Sequence, residues 1–393
     1  FGPVGSQNST KMVYEWVKIA ADNQMIVDIH DEMLTTGYDR TYPNLLTYEA
    51  VHGDEENPTP KDDLGYLFTR MVAGQADHTW CFNRNDRNTT KAFRIAGSLV
   101  YFSPLIYPYW YDDGSLGSIH DPATGMWDVM PTTWDESHML DAKIEEYASV
   151  ARRNGEDWYL AAISAADWEM EIPLIMLEKE TVYKAEIYTN SEADSSKVSI
   201  LTYLVDSTDT LRQAMRSNSG YAVRITKATP EEIEELPRYN EAMQEAIALA
   251  GRIESLPEVT EANLIEVEAS VKEIRNDYQK LVEAQKLGVV NIQKLEAAEA
   301  EIYRLRNCPV KAISINGEVL EDFTPEQTEY EVTLLGGAQV PYVTCEPYEE
   351  SQIVEIRQTQ EIPGSAVLTV KNDFTEKTYR ISFVIPSEAA EIY

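Results

Sequence analysis

Residues 29–55 of the chain read IHDEMLTTGYDRTYPNLLTYEAVHGDE, and they bring several acidic side chains close together in sequence. Among these acids are Asp31, Glu32, Glu49, Asp54 and Glu55. A mostly apolar run at residues 25–29 leads into the stretch, and a Thr-Tyr-Pro-Asn turn interrupts it. Buried strands with clustered carboxylates at their ends are typical of an oxygen-ligated metal site or of an acid/base enzyme.

The segments around this stretch alternate between helical and strand patterns. Residues 11–24 carry apolar side chains at helical spacing, and residues 25–29 and 44–51 have the pattern of short buried strands. Further helices are predicted at residues 64–73 and 89–103, and further strands at residues 77–82 and 104–110. This alternation predicts part of a (β/α)8 barrel over residues 1–135. In such barrels the chemistry lies at the C-terminal ends of the strands, where His30 and Asp31 fall.

The rest of the chain changes pattern twice. Residues 136–228 show period-two alternation from residue 143 onward, which predicts an antiparallel β domain. Residues 229–307 carry apolar side chains three and four apart, as in a three-helix bundle. Residues 308–393 alternate strictly around Asn-Gly and Asn-Asp turns, which predicts an immunoglobulin-like β-sandwich. The fold class expected is therefore multidomain, combining α/β, all-β and all-α parts.

Composition narrows the class of protein. The chain has 393 residues and a net charge of −34, which argues against a nucleic-acid binder. The sequence contains no run of about 18 apolar residues, so no membrane span is predicted. Cys81, Cys308 and Cys345 provide no disulfide framework, and free thiols are expected. Because Phe1 is not a start methionine, we expect a fragment or a processed product, so the lack of a signal peptide carries no information.

Asp31, Glu49 and Glu55 are the central candidates for chemistry. If Asp31 and Glu49 end adjacent barrel strands, all three carboxylates can converge at one rim, where they would repel one another. A divalent cation relieves that repulsion, and Ca²⁺ accepts oxygen ligands in irregular geometry. The competing interpretation is a set of separate surface acids in an acidic protein, and composition alone favours it.

Several neighbouring side chains have two possible roles. His30, His52 and His78 lack the spacing of a zinc motif, so hydrogen-bonded site histidines are expected instead. Arg40 fits a ligand for a carboxylate or substrate hydroxyl as well as a salt bridge that fixes the loop. Trp110 and the tyrosines around it could stack on a sugar ring or pack in a core.

Five blocks of sequence carry a resemblance to a known family. They read GYDRTYPNLLTYEAVHGDE, FTRMVAGQADHT, SLVYFSPLIY, DVMPTTWDESHMLDAKIEEYASVARRNGEDWYLAAIS and EIPLIMLEKETVYKAEIYT. With these blocks, residues 11–225 resemble the second half of glycoside hydrolase family 97, the α-glucosidase/α-galactosidase family. The resemblance implies the C-terminal half of a glycosidase barrel and a C-terminal β domain. It places the family's N-terminal β-sandwich and the first half of the barrel outside this chain.

The resemblance also implies roles for the acids. Glu55 matches the family's general acid and Glu49 matches a calcium-ligand glutamate; Glu55 and Asp31 join Glu49 in the expected calcium site. Asp31 stands where inverting members have a glutamate that serves as base and calcium ligand. Retaining members use an aspartate nucleophile on the preceding strand, which is expected before Phe1. His30, Arg40, His52 and Trp110 are the expected substrate-binding residues.

The C-terminal half of the chain resembles modules of bacterial surface proteins. Residues 229–307 are similar to FIVAR-like helical modules, and residues 308–393 resemble cadherin-like repeats. Together the resemblances imply an extracellular or cell-surface bacterial protein, with possible cell-wall association. The expected function is a calcium-dependent exo-acting α-glycosidase that hydrolyses terminal α-linked sugars of oligosaccharides or polysaccharides, although the isolated chain is expected to be inactive. The alternative is a carbohydrate-binding or cell-surface scaffold protein with a degenerate barrel.

Overall fold

The computed structural model describes residues 6–30, 33, 35–84, 86–109, 121–191, 194, 196–348 and 351–386. The chain divides into two compact units, one of residues 1–251 with 278–292 and one of residues 252–277 with 293–393. No helix among the described residues combines the length and apolar composition that crossing a membrane requires. The three cysteines are free thiols.

The first unit begins with alternating helices and strands in the predicted order. They are α1 (Gln7–Asp22), β1 (Val27–Ile29), β2 (Leu45–Tyr48), α2 (Pro60–Phe68), β3 (Thr79–Cys81), α3 (Lys91–Val100) and β4 (Tyr107–Tyr109). β1 pairs with β2 and β3 with β4, both in parallel. Between the pairs, the Asp77 amide donates to the Tyr48 carbonyl at 2.8 Å. The C-terminal ends of these strands therefore share one side, although the closed barrel itself stays a prediction.

Helix α2 shows where the predicted bounds were wrong. It begins at Pro60, four residues before the predicted start, because Thr59 and Asp62 form a reciprocal capping box at its N-terminus. It ends at Phe68, and a separate 3-10 helix covers Arg70–Ala73. The capping pattern T-P-K-D was therefore a better guide to the start of this helix than the apolar spacing.

Antiparallel strands make up the rest of the first unit's sheet structure. They are β5 (Glu136–Lys143), β6 (Tyr147–Asn154), β7 (Asp157–Ser164), β8 (Trp168–Pro173), β9 (Tyr183–Asn190), β10 (Val198–Val205), β11 (Thr210–Met215) and β12 (Gly220–Lys227). Six of them form a sheet in the order β10-β9-β12-β7-β6-β5, and β8 pairs with β11. β5 was missed because strands were expected only from residue 143. It is an edge strand that is largely exposed, so it lacks the apolar alternation of a buried strand.

Strand β7, inside the six-stranded sheet, is buried on both faces. Along β7, Trp158, Leu160 and Ala162 join one apolar core, whereas Tyr159, Ala161 and Ile163 join another. The second core also contains Trp80 and residues of α3, so the segment that carries β3 and α3 packs directly on the sheet. Every residue of α3 after Lys91 is buried. At the predicted boundary between residues 135 and 136, parallel strand pairs thus give way to antiparallel ones, while residues from both sides share one apolar core.

Helices follow the sheet and contribute to both units. They are α4 (Gly125–Val129) before the sheet, then α5 (Pro230–Glu235), α6 (Tyr239–Ala242), α7 (Gln244–Glu254), α8 (Leu264–Lys280), α9 (Glu283–Leu287) and α10 (Ile292–Asn307). Helices α7, α8 and α10 lie where three helical patterns were predicted. Their packing as one three-helix bundle stays a prediction.

The second unit contains two sheets. The strands are β13 (Val310–Ile315), β14 (Glu318–Val319), β15 (Glu329–Thr333), β16 (Val343–Pro347), β17 (Ile353–Arg357), β18 (Gly364–Lys371) and β19 (Glu376–Val384). They pair in the orders β14-β13-β16 and β15-β19-β18-β17. Both sheets contribute to one apolar core, which includes Ile313, Val343, Leu368 and Phe383. The assignment to the immunoglobulin-like class stays a prediction.

Candidate active site

The ends of β1 and β2 bring a histidine and a glutamate together. Because the two strands are parallel, His30 and Glu49 leave the sheet on the same side, and the Glu49 amide donates to the Ile29 carbonyl at 3.0 Å. His30 Nε2 lies 3.4 Å from Glu49 Oε1. Glu49 is nearly buried, whereas the His30 side chain is 44% exposed, so this pair stands at an opening to solvent.

Glu55 reaches the same histidine from a separate turn. It lies in a 3-10 helix (Asp54–Glu56), and its Oε1 is 3.9 Å from His30 Nε2. The neighbouring Asp54 fixes this turn, because its buried carboxylate accepts from the Cys81 amide at 2.9 Å and pairs with Arg94 Nε at 3.1 Å. Glu55 Oε2 is buried and has no hydrogen-bond partner among the described residues.

A second acidic pair, Asp28 and Asp77, lies on the other side of His30. The Nδ1 atom of His30 is 2.9 Å from Oδ2 of the buried Asp77. Because an ionised carboxylate only accepts, Nδ1–H is the donor, and Nε2 faces the two glutamates. Burial alone would lower the pKa of His30, but the bond to Asp77 and the charge of Glu49 outweigh it and raise this pKa. Burial and the charge of Asp77 raise the pKa of Asp28 to about 7. These groups can therefore hold and exchange protons near neutral pH.

These side chains open onto a cavity of about 620 Å³. Asp28, His30, Glu55, Thr79 and the three residues of β4 line it. The rings of Tyr107 and Tyr109 are half exposed, and the His30 ring meets Tyr107 edge to face at 6.1 Å. The volume lies within the range of small-molecule sites, and the exposed rings offer an apolar face next to carboxylates.

The structure brings together some of the predicted site residues and separates others. Glu49, Glu55 and His30 lie together. His52 does not line the cavity: its side chain is 71% exposed and its Nε2 lies 3.4 Å from Glu56. Arg40 is exposed at the end of a 3-10 helix (Tyr38–Arg40) and does not line the cavity either. The predicted Asp31 and Trp110 lie outside the described residues.

Sequence reasoning missed Asp28, Asp77 and Thr79. Asp28 could have been found, because it is the one charged residue in the apolar run that forms β1. Asp77 had no comparable signal, since its partner His30 is 47 residues away. His78, which the sequence analysis compared with a zinc ligand, is fully buried, and its Nε2 lies 3.1 Å from Asp63 Oδ1.

The residues around His30 fit a divalent cation. One ligand atom from each of His30, Glu49 and Glu55 can lie within 4.8 Å of the others. The donor set is two carboxylates and an imidazole, and the partnerless Glu55 Oε2 is a buried oxygen that a cation would satisfy. A histidine is an unusual ligand for Ca²⁺, so we take it as a neighbour of the cation that Glu49 and Glu55 would hold.

Two models of one protein family match parts of this chain. The family model "Glycoside hydrolase 97" matches residues 4–51, and "Glycosyl-hydrolase 97 C-terminal, oligomerisation" matches residues 133–226. The chain is 26% identical over 245 residues to a retaining alpha-galactosidase of Bacteroides thetaiotaomicron. It is 29% identical over 178 residues to a probable retaining alpha-galactosidase of Streptomyces bingchenggensis. The first match covers 56% of this chain and 36% of the relative, and the second covers 43% and 27%.

Solved structures agree with these matches. A glycoside hydrolase family 97 enzyme from Pseudoalteromonas sp. in complex with acarbose aligns with a TM-score of 0.51 and 26% identity. A variant of that enzyme in complex with panose aligns with the same score and 27% identity. Both alignments cover 57% of this chain and 38% of the solved one. The matches at residues 4–51 and 133–226 therefore identify a fragment of glycoside hydrolase family 97 within this chain.

Proposed function

We propose that the protein acts as a calcium-dependent α-glycosidase that removes terminal α-linked sugars, with α-galactosides as the first substrates to test. The observation that carries the proposal is the convergence of Glu49 and Glu55 on His30 Nε2 at the mouth of an open cavity. The names of the curated relatives and the sugar ligands of the solved structures support the substrate class.

The residues suggest a division of roles. Glu55 sits beside the cavity, where a protonated carboxyl can donate to the leaving glycosidic oxygen. His30 is held by Asp77 through Nδ1, so its Nε2 is free to orient Glu49, Glu55 or a substrate hydroxyl. Tyr107 and Tyr109 can cover the apolar face of a sugar ring. Asp31 remains the proposed second carboxylate, and whether the anomeric configuration is retained or inverted depends on the separation of the two carboxyls.

Glu49 and Glu55, with Asp31 as a third proposed ligand, would hold the calcium ion. The ion would supply positive charge that allows these carboxylates to stay ionised close together. Isothermal titration of the chain with Ca²⁺ tests this directly. We expect Glu49→Gln to weaken binding by more than about ten-fold, whereas Glu56→Gln, at an exposed neighbouring carboxylate, leaves it unchanged.

The activity is tested by turnover of aryl α-galactosides and α-glucosides in calcium-containing buffer. Because this chain spans about a third of the length of its curated relatives, both the chain and the complete product of its gene are assayed. We expect Glu55→Gln to reduce turnover of the complete product at least 10²-fold, as loss of a general acid does, while Glu56→Gln does not. No hydrolysis by the complete product would refute the proposal.

Sugar binding without hydrolysis would instead support the alternative, a carbohydrate-binding or scaffold protein with a degenerate barrel. For either function we propose an extracellular or cell-surface location in a bacterium, on the basis of the resemblance of residues 229–307 to FIVAR-like modules and of residues 308–393 to cadherin-like repeats. Accessibility of the native protein to protease on intact cells tests this location.

A further inference from the structure

A pocket of about 400 Å³ lies within the second unit, between α8 and α10. Residues 268–276 of α8 and 299–307 of α10 line it, and on both helices the lining positions follow the spacing i, i+3, i+4, i+7 and i+8. This spacing defines one face of a helix, so two facing stripes form the walls. The pocket is separate from the cavity at His30.

Two ion pairs between the helices frame this pocket. Arg275 binds both oxygens of Glu299 at 2.7 and 2.6 Å, and Arg306 binds Glu268 Oε2 at 2.6 and 3.2 Å. Since the pairs join the early part of one helix to the late part of the other, they mark the two ends of the pocket. Because each ion pair holds its guanidinium and carboxylate groups in place, these side chains lose little conformational entropy when a ligand binds.

Between the ion pairs, the pocket offers an aromatic ring beside polar groups. Tyr303 is 46% exposed, and the buried Val271 also lines the pocket. Glu268 Oε1 accepts no hydrogen bond, and Lys272 forms no ion pair, among the described residues. The pocket thus combines one exposed ring and apolar side chains with donors and acceptors.

We propose that this pocket binds a neutral pyranose residue of an oligosaccharide. A pyranose presents an apolar C–H face that packs on a tyrosine ring and a rim of hydroxyls that both donate and accept. A chain of net charge −34 does not favour nucleic acid as the ligand. The choice of a sugar rests on the proposed function, because a second sugar site in one chain raises the effective concentration of a polymeric substrate.

The test uses the full chain carrying Glu55→Gln, so that no sugar is hydrolysed, with maltotriose and raffinose as probes in isothermal titration. We expect Tyr303→Ala to weaken binding of at least one probe about ten-fold, while Tyr303→Phe stays within about three-fold. Tyr342→Ala, at a tyrosine that is 62% exposed in the same unit but outside the pocket, is the matched control and should leave binding unchanged.

Tyr107→Ala separates this site from the cavity at His30. If binding is lost with Tyr107→Ala but kept with Tyr303→Ala, or if neither probe binds at about 10 mM, the inference is overturned. Turnover is measured separately on the gene's complete product without the Glu55 substitution. Absent turnover together with binding that depends on Tyr303 would refute the proposed activity and leave the sugar site standing.

Discussion

Replacing Gly53 with alanine should disable Glu55 without unfolding the protein. Gly53 precedes the 3-10 helix that carries Glu55, and its backbone has φ −75°, a conformation that alanine adopts without strain. A Cβ at this position would lie 2.4 Å from Glu55 Oε2 and 3.0 Å from Thr79 Cβ. The effect of the substitution is therefore steric and is directed at the proposed proton donor.

The size of the effect follows from these distances. Ordinary contact to a Cβ begins near 3.4 Å, so the Glu55 carboxylate must withdraw by about 1 Å. A misplacement of about 1 Å in a reacting group costs on the order of 10²-fold in rate. The cost in stability should be about 1 kcal/mol, because the tip of Glu55 yields easily, Thr79 Cβ must give by a few tenths of an ångström, and the unfolded chain loses conformational freedom.

Three measurements on Gly53→Ala test this reasoning. Turnover of an aryl α-galactoside by the complete gene product should fall about 10²-fold, thermal unfolding should change little, and a crystal structure should show the Glu55 carboxylate displaced. Gly65→Ala is the matched control, since a Cβ there meets nothing within 4 Å. An unmoved Glu55 carboxylate, or a rate equal to that of Gly65→Ala, would refute the steric argument.

Three further substitutions test the interior of the first unit. Arg94→Met leaves the buried Asp54 unpaired and should lower the free energy of unfolding by about 3–5 kcal/mol in urea titrations; a loss under about 1 kcal/mol would contradict this. Gly220→Ala places a Cβ 2.2 Å from the backbone of Ala92, and backbone atoms cannot move aside as the end of a side chain can. The free energy of unfolding in urea titrations should fall by about 1–3 kcal/mol. Because the pKa of Asp28 is raised from 3.8 to about 7, the folded state binds the extra proton and stability should fall as pH rises between these values. Asp28→Asn should flatten that fall, and an unchanged pH profile would exclude the buried carboxyl as its cause.

The order of helices and strands in the first unit could be predicted from sequence because each element carries its own pattern. Strand β7 reads DWYLAAIS, and its continuous apolar run reflects burial on both faces. Strand β5 reads ESHMLDAK and carries no such pattern, because it is a largely exposed edge strand that pairs with β6 on one side, with Leu140 and Ala142 packed partly against the cores. The strand that the sequence pattern missed is therefore one whose side chains are mostly exposed.

The candidate site divides in the same way. Glu49 and Glu55 could be singled out because they stand near strand ends in a short acidic stretch. The contacts that organise them join distant residues: His30 to Asp77 across 47 positions and Asp54 to Arg94 across 40. No local period encodes such pairs, so the supporting residues became visible only in the folded chain.

These long-range contacts connect the proposed proton donor to the antiparallel sheet. Gly220 opens β12 and lies against the backbone of Ala92 on α3. Arg94, two residues along that helix, pairs with Asp54, and Asp54 is the residue before Glu55. The chain of contacts runs through close-packed, buried groups, which transmit displacement rather than absorb it. Gly220→Ala should therefore lower turnover more than its loss of stability explains, and the excess should disappear when Glu55 is already replaced by glutamine.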